Sequence, residues 1–205
     1  MSRIRFTLAT TAAIITALTL AACSSPAGSM EGMDHSENSP SPSSPAESNT
    51  GPHNDADIAF AMDMVPHHTQ AVEMSDMILG KDGIDPQVTA LAEKITAEQG
   101  PEIILMTDWL DAWGSPVDSM GDMPGMGMGT GMMSEQDMSR LDDATGVDAS
   151  RLFLEQMIEH HTGAIEMADI EISDGSNPAA VELAQSIVAG QTAEIAEMKA
   201  ILATL

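Results

Sequence analysis

An internal duplication constrains the fold of this chain more than any other feature of its sequence. Residues 64–74 read MVPHHTQAVEM, and residues 157–167 read MIEHHTGAIEM with the same spacing. A second string, Gln-x-x-Glu-Ile-x-x-Met, begins at Gln99 and again at Gln191. Each copy is therefore a pair of segments, and two copies of one unit are expected to fold alike and to pack against one another.

Each copy is expected to form two helices joined by a short turn. Asp85 precedes Pro86 and Asn177 precedes Pro178, and a cap residue before a first-turn proline is typical of a helix start. The stretches GKDGIDP and SDGSNP supply the turn residues before these starts. The pattern predicts four helices, over residues 56–79, 86–113, 149–173 and 178–204.

Two hairpins with one apolar face each can bury those faces only against each other. Two Trp, three Phe and no Tyr leave a core of aliphatic residues and methionine, which suits helices better than a β-sandwich. The sequence therefore predicts an all-α four-helix bundle of two duplicated αα-hairpins. Pro66 and Pro101 fall inside the first copy and are expected to kink its helices. The predicted parts are a first hairpin over 55–113, a connector over 114–148 and a second hairpin over 149–205.

The N-terminal part of the chain is a targeting segment and is not expected to join the fold. Arg3 and Arg5 precede an apolar run that is too short for a spanning helix, so residues 1–22 are typical of a secretory signal. The signal ends Leu-Ala-Ala-Cys, which resembles the bacterial lipobox, so Cys23 is expected to carry a lipid. Residues 23–54 are rich in Ser and Pro and are expected to form a disordered tether.

Charge and cysteine content exclude several classes of function. The chain carries 32 acidic against 7 basic residues and a net charge of −25, which repels phosphate backbones and anionic headgroups. Nucleic acid is therefore excluded as a partner, and the lipid would make the membrane contact. Cys23 is the only cysteine, which excludes an internal disulfide and a thiolate metal site.

Helical periodicity places one histidine of each adjacent pair inside the bundle. At about 100° per residue, His67 and His160 fall near the middle of the apolar stripes, whereas His68 is expected nearer the rim. Methionines three residues before and seven residues after the inward histidine share these stripes: Met64, Met74, Met157 and Met167. The stripes of the second and fourth helices contain Gln99, Glu102, Gln191 and Glu194.

Buried histidine and glutamate are costly unless they are paired or bound to a metal. In one interpretation, His67 and His160 bond Glu102 and Glu194 across the bundle as a polar layer. In the other they bind a metal, as ferritin-like bundles do with Glu-x-x-His motifs. Methionine replaces the glutamate of that motif in both copies here, and His with Met suits copper, particularly Cu(I), better than iron or manganese. A methionine stripe can equally be core, so both interpretations remain open.

The connector between the hairpins is rich in methionine and glycine. Residues 119–138 read SMGDMPGMGMGTGMMSEQDM, and the Gly-rich part before Ser134 is not expected to pack as a helix. Core filling is therefore not expected to explain its methionines, which are soft donors for Cu(I) or Ag(I); low-complexity drift is the alternative. The candidate ligands here are Met120, Met123, Met126, Met128, Met132 and Met133. After them, Ser134 can cap a short helix with Asp137.

A smaller group of soft donors lies in the tether. Met30, Met33 and His35 fall close together, and His53 stands alone near the start of the first helix. Chance in a polar linker also explains these residues, and we prefer that explanation for His53.

The duplicated strings HHTQAVEM and HHTGAIEM, with MMSEQDMSRL and RLFLEQMIEHH, resemble the exported CopM-like family over about residues 55–205. The resemblance implies a ferritin-like fold and an extracytoplasmic copper-binding protein associated with copper resistance. Carried over residue by residue, the family's histidine pairs fall on His67, His68, His160 and His161. Its flanking methionines fall on Met64, Met74, Met157 and Met167.

The hypothesis from sequence is a lipoprotein outside the membrane that binds Cu(I), with Ag(I) as a possible surrogate. It would buffer the ion or pass it to a copper-receiving or copper-exporting protein. No nucleophile or acid–base motif is found, so an enzyme is not expected. Two alternatives remain: a metal-free interaction module with a His/Glu polar core, and a ferritin-like oxidase with Glu102, Glu194, His67 and His160 as ligands.

Overall fold

The fold is a bundle of helices, as the duplication predicts. The computed structural model describes residues 51–117 and 130–205, and no strand occurs within these ranges. The all-α class is therefore confirmed. None of the helices in the described ranges is long and apolar enough to span a membrane. The helices are α1 (Asp55–Leu79), α2 (Pro86–Ala112), α3 (Glu135–Asp143), α4 (Gly146–Asp174) and α5 (Pro178–Leu202).

Side-chain caps start three of the helices where the sequence predicts them. The side chains of Asp85 and Asn177 accept hydrogen bonds from first-turn N–H groups of α2 and α5. Ser134 and Asp137 form a capping box at the start of α3. Helix α4 begins at Gly146, three residues earlier than predicted, because Thr145 makes no side-chain cap that the sequence could reveal.

The helices pair as two αα-hairpins. Helix α1 packs against α2 and α4 packs against α5, and the two hairpins meet through α1 and α4. Helices α2 and α5 approach one another less closely. The predicted bundle of duplicated hairpins is confirmed, with α3 added against α1 and α4. Both α1 and α2 continue through Pro66 and Pro101, so the kinks stay a prediction.

Equivalent hydrogen bonds tie the two hairpins together across an approximate two-fold axis. Asp85 lies in the connection between α1 and α2, and its backbone N–H donates to Ser150 Oγ of the second copy at 3.1 Å. Asn177 lies in the connection between α4 and α5, and its backbone N–H donates to Asp57 Oδ1 of the first copy at 2.8 Å. Each turn therefore anchors the first helix of the other copy.

The core has two apolar clusters that share methionines from both copies. Met64 lies in one cluster, against which the half-buried Met167 packs. Met74 and Met157 lie in the other. Since the first methionine of one copy meets the last methionine of the other, α1 and α4 run antiparallel. Along each helix, the histidine pair lies between a methionine of one cluster and a methionine of the other.

Candidate metal centre

Four histidines form a buried layer where α1 crosses α4. His67, His68 and His161 are 0% exposed and His160 is 1% exposed. The rings of His67 and His160 lie face to face, with centroids 3.7 Å apart and planes tilted by 37°. The expectation that His68 lies nearer the rim is wrong. Helix α2 packs along the flank of α1 and covers the edge of the stripe as completely as its middle.

Each outer histidine of the layer is bonded to a glutamate of its own hairpin. His68 Nε2 donates to Glu102 Oε2 at 2.8 Å, and His161 Nε2 donates to Glu194 Oε2 at 2.8 Å. A polar layer is thus present, but its partners are His68 and His161. The predicted pairing of these glutamates with His67 and His160 is wrong, because the inner rings face each other across the axis.

These contacts fix the proton on three of the four rings. A carboxylate or carbonyl oxygen only accepts, so the nitrogen facing it carries the hydrogen. The Nε2 atoms of His68 and His161 face carboxylates, and His67 Nε2 lies 3.2 Å from the carbonyl oxygen of Thr130. In the neutral form of each ring, Nδ1 therefore carries the lone pair. Within the described residues, no Nδ1 of the layer has a hydrogen-bond partner, and neither ring nitrogen of His160 has one.

The inner rings are neutral at pH 7. Burial lowers the pKa of His67 to about 3, and repulsion from His68 adds to the shift. Burial, together with His67, holds the pKa of His160 well below its usual value. The neutral imidazole is the form that binds metal ions.

The outer pair of the second copy consists of a neutral ring and a carboxylate. Burial lowers the pKa of His161, although its hydrogen bond to Glu194 opposes the shift. Burial would raise the pKa of Glu194, but the bond from His161 and the charge of Lys94 outweigh it, and the pKa is lowered. Glu194 therefore stays ionised and holds His161 as the Nε2–H tautomer.

A four-residue segment, which we call the strap (residues 130–133), crosses over the layer. Its Thr130 carbonyl contacts His67. Gln70 holds its other end, since Gln70 Oε1 accepts from the Met133 N–H at 2.7 Å and Gln70 Nε2 donates to the Met133 carbonyl at 2.9 Å. A Cβ on Gly163 would lie 1.8 Å from the Thr130 carbonyl oxygen, so only glycine allows this crossing.

The strap explains a difference between the two repeats. Gln70 and Gly163 occupy the same position in HHTQAVEM and HHTGAIEM. Gln70 hydrogen-bonds the strap at Met133. Gly163 has no side chain and so leaves space for the strap at Thr130. Sequence reasoning did not assign either residue a role, although the Gln-to-Gly difference within otherwise matching strings was the available signal.

The candidate methionines fall into three groups. Met64, Met74 and Met157 are fully buried, whereas Met167 is half-buried. Met133 is 6% exposed and packs in the core. The connector methionines were not expected to fill the core, and for Met133 this expectation is wrong. Met132 is half-buried. The candidates outside the described residues are Met120, Met123, Met126, Met128, Met30, Met33, His35 and the lipidation candidate Cys23.

His53 lies away from the layer. Its ring stacks on Trp113 with centroids 4.8 Å apart and planes 16° apart. This contact gives His53 a packing role that its position in a polar segment did not indicate.

The donor set of the layer fits a soft ion better than a hard one. No three His, Cys, Asp or Glu side chains in residues 51–117 and 130–205 lie together as a ready metal site. The layer offers instead the neutral imidazoles of His67 and His160, and Met64 and Met157 lie one helical turn before them. Because the inner rings meet face to face, an ion shared by both requires them to rotate.

The fold and the layer define a class of two-hairpin helical bundles with an internal histidine layer. Residues 57–202 match the model of the family described as DUF305, a domain of unknown function, and the chain belongs to this family. No curated protein matches the chain.

Solved structures of this family share the fold. A DUF305 protein of Streptomyces coelicolor, described as secreted, is 36% identical over 73% of this chain and 91% of that one, with a TM-score of 0.66. A DUF305 fragment of Deinococcus radiodurans is 30% identical over 76% of this chain and all of that one (100%), with a TM-score of 0.68. CopM in its Cu(I)-bound form is 32% identical over 72% of this chain and 96% of that one, with a TM-score of 0.60. CopM structures with Cu(II) and with silver also match.

Proposed function

We propose that this chain binds copper outside the cytoplasm, foremost as Cu(I), and buffers it or hands it to another protein. The observation that carries the proposal is the contact between the neutral inner histidines, His67 and His160, whose Nδ1 atoms have no hydrogen-bond partner in the part of the chain that the structure describes. Neutral imidazole with thioether favours Cu(I) over hard ions. The Cu(I), Cu(II) and silver forms of the related CopM support the choice of metal.

The proposal assigns different roles to the residues of the layer. His67 and His160 would hold the ion together with Met64 and Met157, and Met74 and Met167 would be outer donors. The Nδ1 atoms of His68 and His161 also lack a hydrogen-bond partner among residues 51–117 and 130–205. Glu102 and Glu194 would orient these outer rings rather than bind the metal, because a ligand histidine commonly donates its other N–H to a carboxylate.

The rest of the chain would deliver and retain the ion. The connector methionines Met120, Met123, Met126 and Met128 would collect Cu(I), with Ag(I) as a surrogate, and pass it to the layer beneath the strap. Lipidation of Cys23 would anchor the exported chain to the outer face of a membrane. A copper-receiving or copper-exporting protein would be the partner.

Two alternatives make different use of the same residues. A di-metal oxidase would need His67 and His160 beside Glu102 and Glu194, yet those glutamates bond the outer histidines. A metal-free interaction module would use the His/Glu layer only for structure, and the two 2.8 Å bonds favour it as the second candidate.

Competition with a chromophoric chelator under anaerobic conditions tests the proposal. The His67→Leu/His160→Leu double variant is expected to lose Cu(I) affinity by about tenfold or more, since even indirect changes at metal sites cost 10–100-fold. His53→Leu is the matched control, because it removes a histidine outside the layer, and its affinity is expected to stay within about twofold of the native value. Equal affinity of the double variant and the native chain would reject the copper layer in favour of the metal-free module.

A further inference from the structure

A polar cleft lies on the side of the histidine layer away from the strap. It has a volume of about 40 Å³, room for an ion or one to two waters, and lies between α2 and α5. Both repeats contribute the same motif to it, Gln-x-x-Glu. The lining residues are Glu98, Gln99, Glu102, Ser186, Ile187, Gly190, Gln191 and Glu194.

The cleft contains oxygen atoms that accept no hydrogen bond within the described residues, although one of them, Glu194 Oε1, lies 3.4 Å from the Lys94 ammonium. Glu102 and Glu194 each bind a histidine through Oε2, which leaves Oε1. Glu194 Oε1 and Gln191 Oε1 are buried without a hydrogen-bond partner in the described residues. Gln99 is only 3% exposed, and both of its amide atoms lack such a partner. Either amide orientation of Gln99 is therefore possible without breaking a hydrogen bond.

A buried amide without a hydrogen-bond partner lowers the stability of the fold. A ligand bound in the adjacent cleft would supply the missing contacts. We propose that the cleft binds a hard divalent cation of the calcium class through the side-chain oxygens of Gln99, Glu102, Gln191 and Glu194. Carboxylate and amide oxygens with a few waters are the ligands that Ca²⁺ prefers in proteins. The site adjoins the histidine layer through Glu102 and Glu194, but it offers oxygen ligands, whereas the layer offers nitrogen and sulfur.

Lys94 acts as an internal competitor for this site. Its ammonium lies 3.4 Å from Glu194 Oε1 and 3.7 Å from Glu197 Oε2. The equivalent position of the second copy is Ser186, so the Glu102 half of the cleft receives no lysine from that position. A cation displaces the Lys94 side chain, which is 42% exposed and free to turn toward solvent.

Calorimetric titration of the metal-free full chain with CaCl₂, and in parallel with MgCl₂, tests this site without copper. About 0.1 M salt limits diffuse attraction to the acidic surface to a range of about 10 Å. The Gln99→Leu/Gln191→Leu double variant keeps the net charge and is expected to lower Ca²⁺ affinity by about tenfold or more. Lys94→Gln is expected to raise it by about threefold.

Glu182→Gln is the matched control for charge, since Glu182 is exposed on α5 outside the cleft. Its affinity for Ca²⁺ is expected to stay within about twofold of the native value. A double variant that binds Ca²⁺ as the control does would overturn the site and assign the binding to diffuse charge. If the double variant loses its helical circular dichroism, Lys94→Gln decides, and no gain in affinity there overturns the site. Neither result bears on copper, which is absent from the titration.

Discussion

The strap contacts α4 at Gly163. Alanine is therefore expected to destabilise the chain in place of Gly163 and to stabilise it in place of Gly190. Gly163 and Gly190 both lie inside helices, in α4 and α5. A Cβ at Gly190 meets nothing within 4 Å, whereas a Cβ at Gly163 would lie 1.8 Å from the Thr130 carbonyl oxygen and 2.4 Å from its carbon. These obstacles are backbone atoms, so the strap must move.

The magnitudes follow from these distances. Alanine in place of glycine inside a helix stabilises by about 0.5–1 kcal/mol, which is the gain expected for Gly190→Ala. At Gly163 the same gain is offset by about 1–3 kcal/mol of overpacking. Displacement of the strap also removes the two bonds between Gln70 and Met133, at about 1 kcal/mol each. Gly163→Ala is therefore expected to destabilise the chain by about 3 kcal/mol.

Urea denaturation followed by circular dichroism measures both changes. Gly190→Ala is expected to raise the midpoint and Gly163→Ala to lower it, with equal slopes if the denatured states are alike. Gains of equal size in both variants would refute the docking of the strap on α4. The tautomer of His67 inferred from Thr130 would then lose its support.

Three further predictions follow from buried groups. Burial, with Asp57 adding, raises the pKa of Glu171 from 4.5 to about 8. Unfolding free energy should therefore fall as pH rises through this window, and Glu171→Gln should remove that slope in urea titrations at a series of pH values. Glu194→Ala should lower the free energy of unfolding by about 3 kcal/mol and Glu102→Ala by about 1 kcal/mol, measured by thermal denaturation. The difference is expected because Glu194 is 2% exposed and Glu102 is 24% exposed; equal losses in the two variants would contradict this explanation. Gln70→Leu should speed peroxide oxidation of Met133, measured by mass spectrometry, and an unchanged rate would mean that Gln70 does not hold the strap.

The sequence was a good guide to the helices because each signal for them is local or repeated. Proline after Asp85 and Asn177, and the capping pair at Ser134, mark starts that depend on a few adjacent residues. The duplication then restricts how the helices can pair. Where a start lacks a local cap, as at Gly146, the prediction was late by three residues.

The site was predicted less well because its contacts are set by helices distant in sequence. Periodicity places His67 and His160 in the middle of their stripes, but it does not show that α2 and α5 cover His68 and His161 as fully. It also cannot show that Met133 enters the core, since that depends on Gln70, 63 positions earlier in the chain. From composition alone, Met133 is indistinguishable from the other candidate copper ligands of the Met- and Gly-rich connector.

X-ray absorption of the chain loaded with one equivalent of Cu(I) tests the central claim most directly. Mixed nitrogen and sulfur ligation is expected, with the multiple-scattering pattern of imidazole. The His67→Leu/His160→Leu variant should lose the imidazole pattern, while His53→Leu should keep it. A native spectrum with sulfur ligands only, or an imidazole pattern that survives the double substitution, would contradict a copper site in the histidine layer.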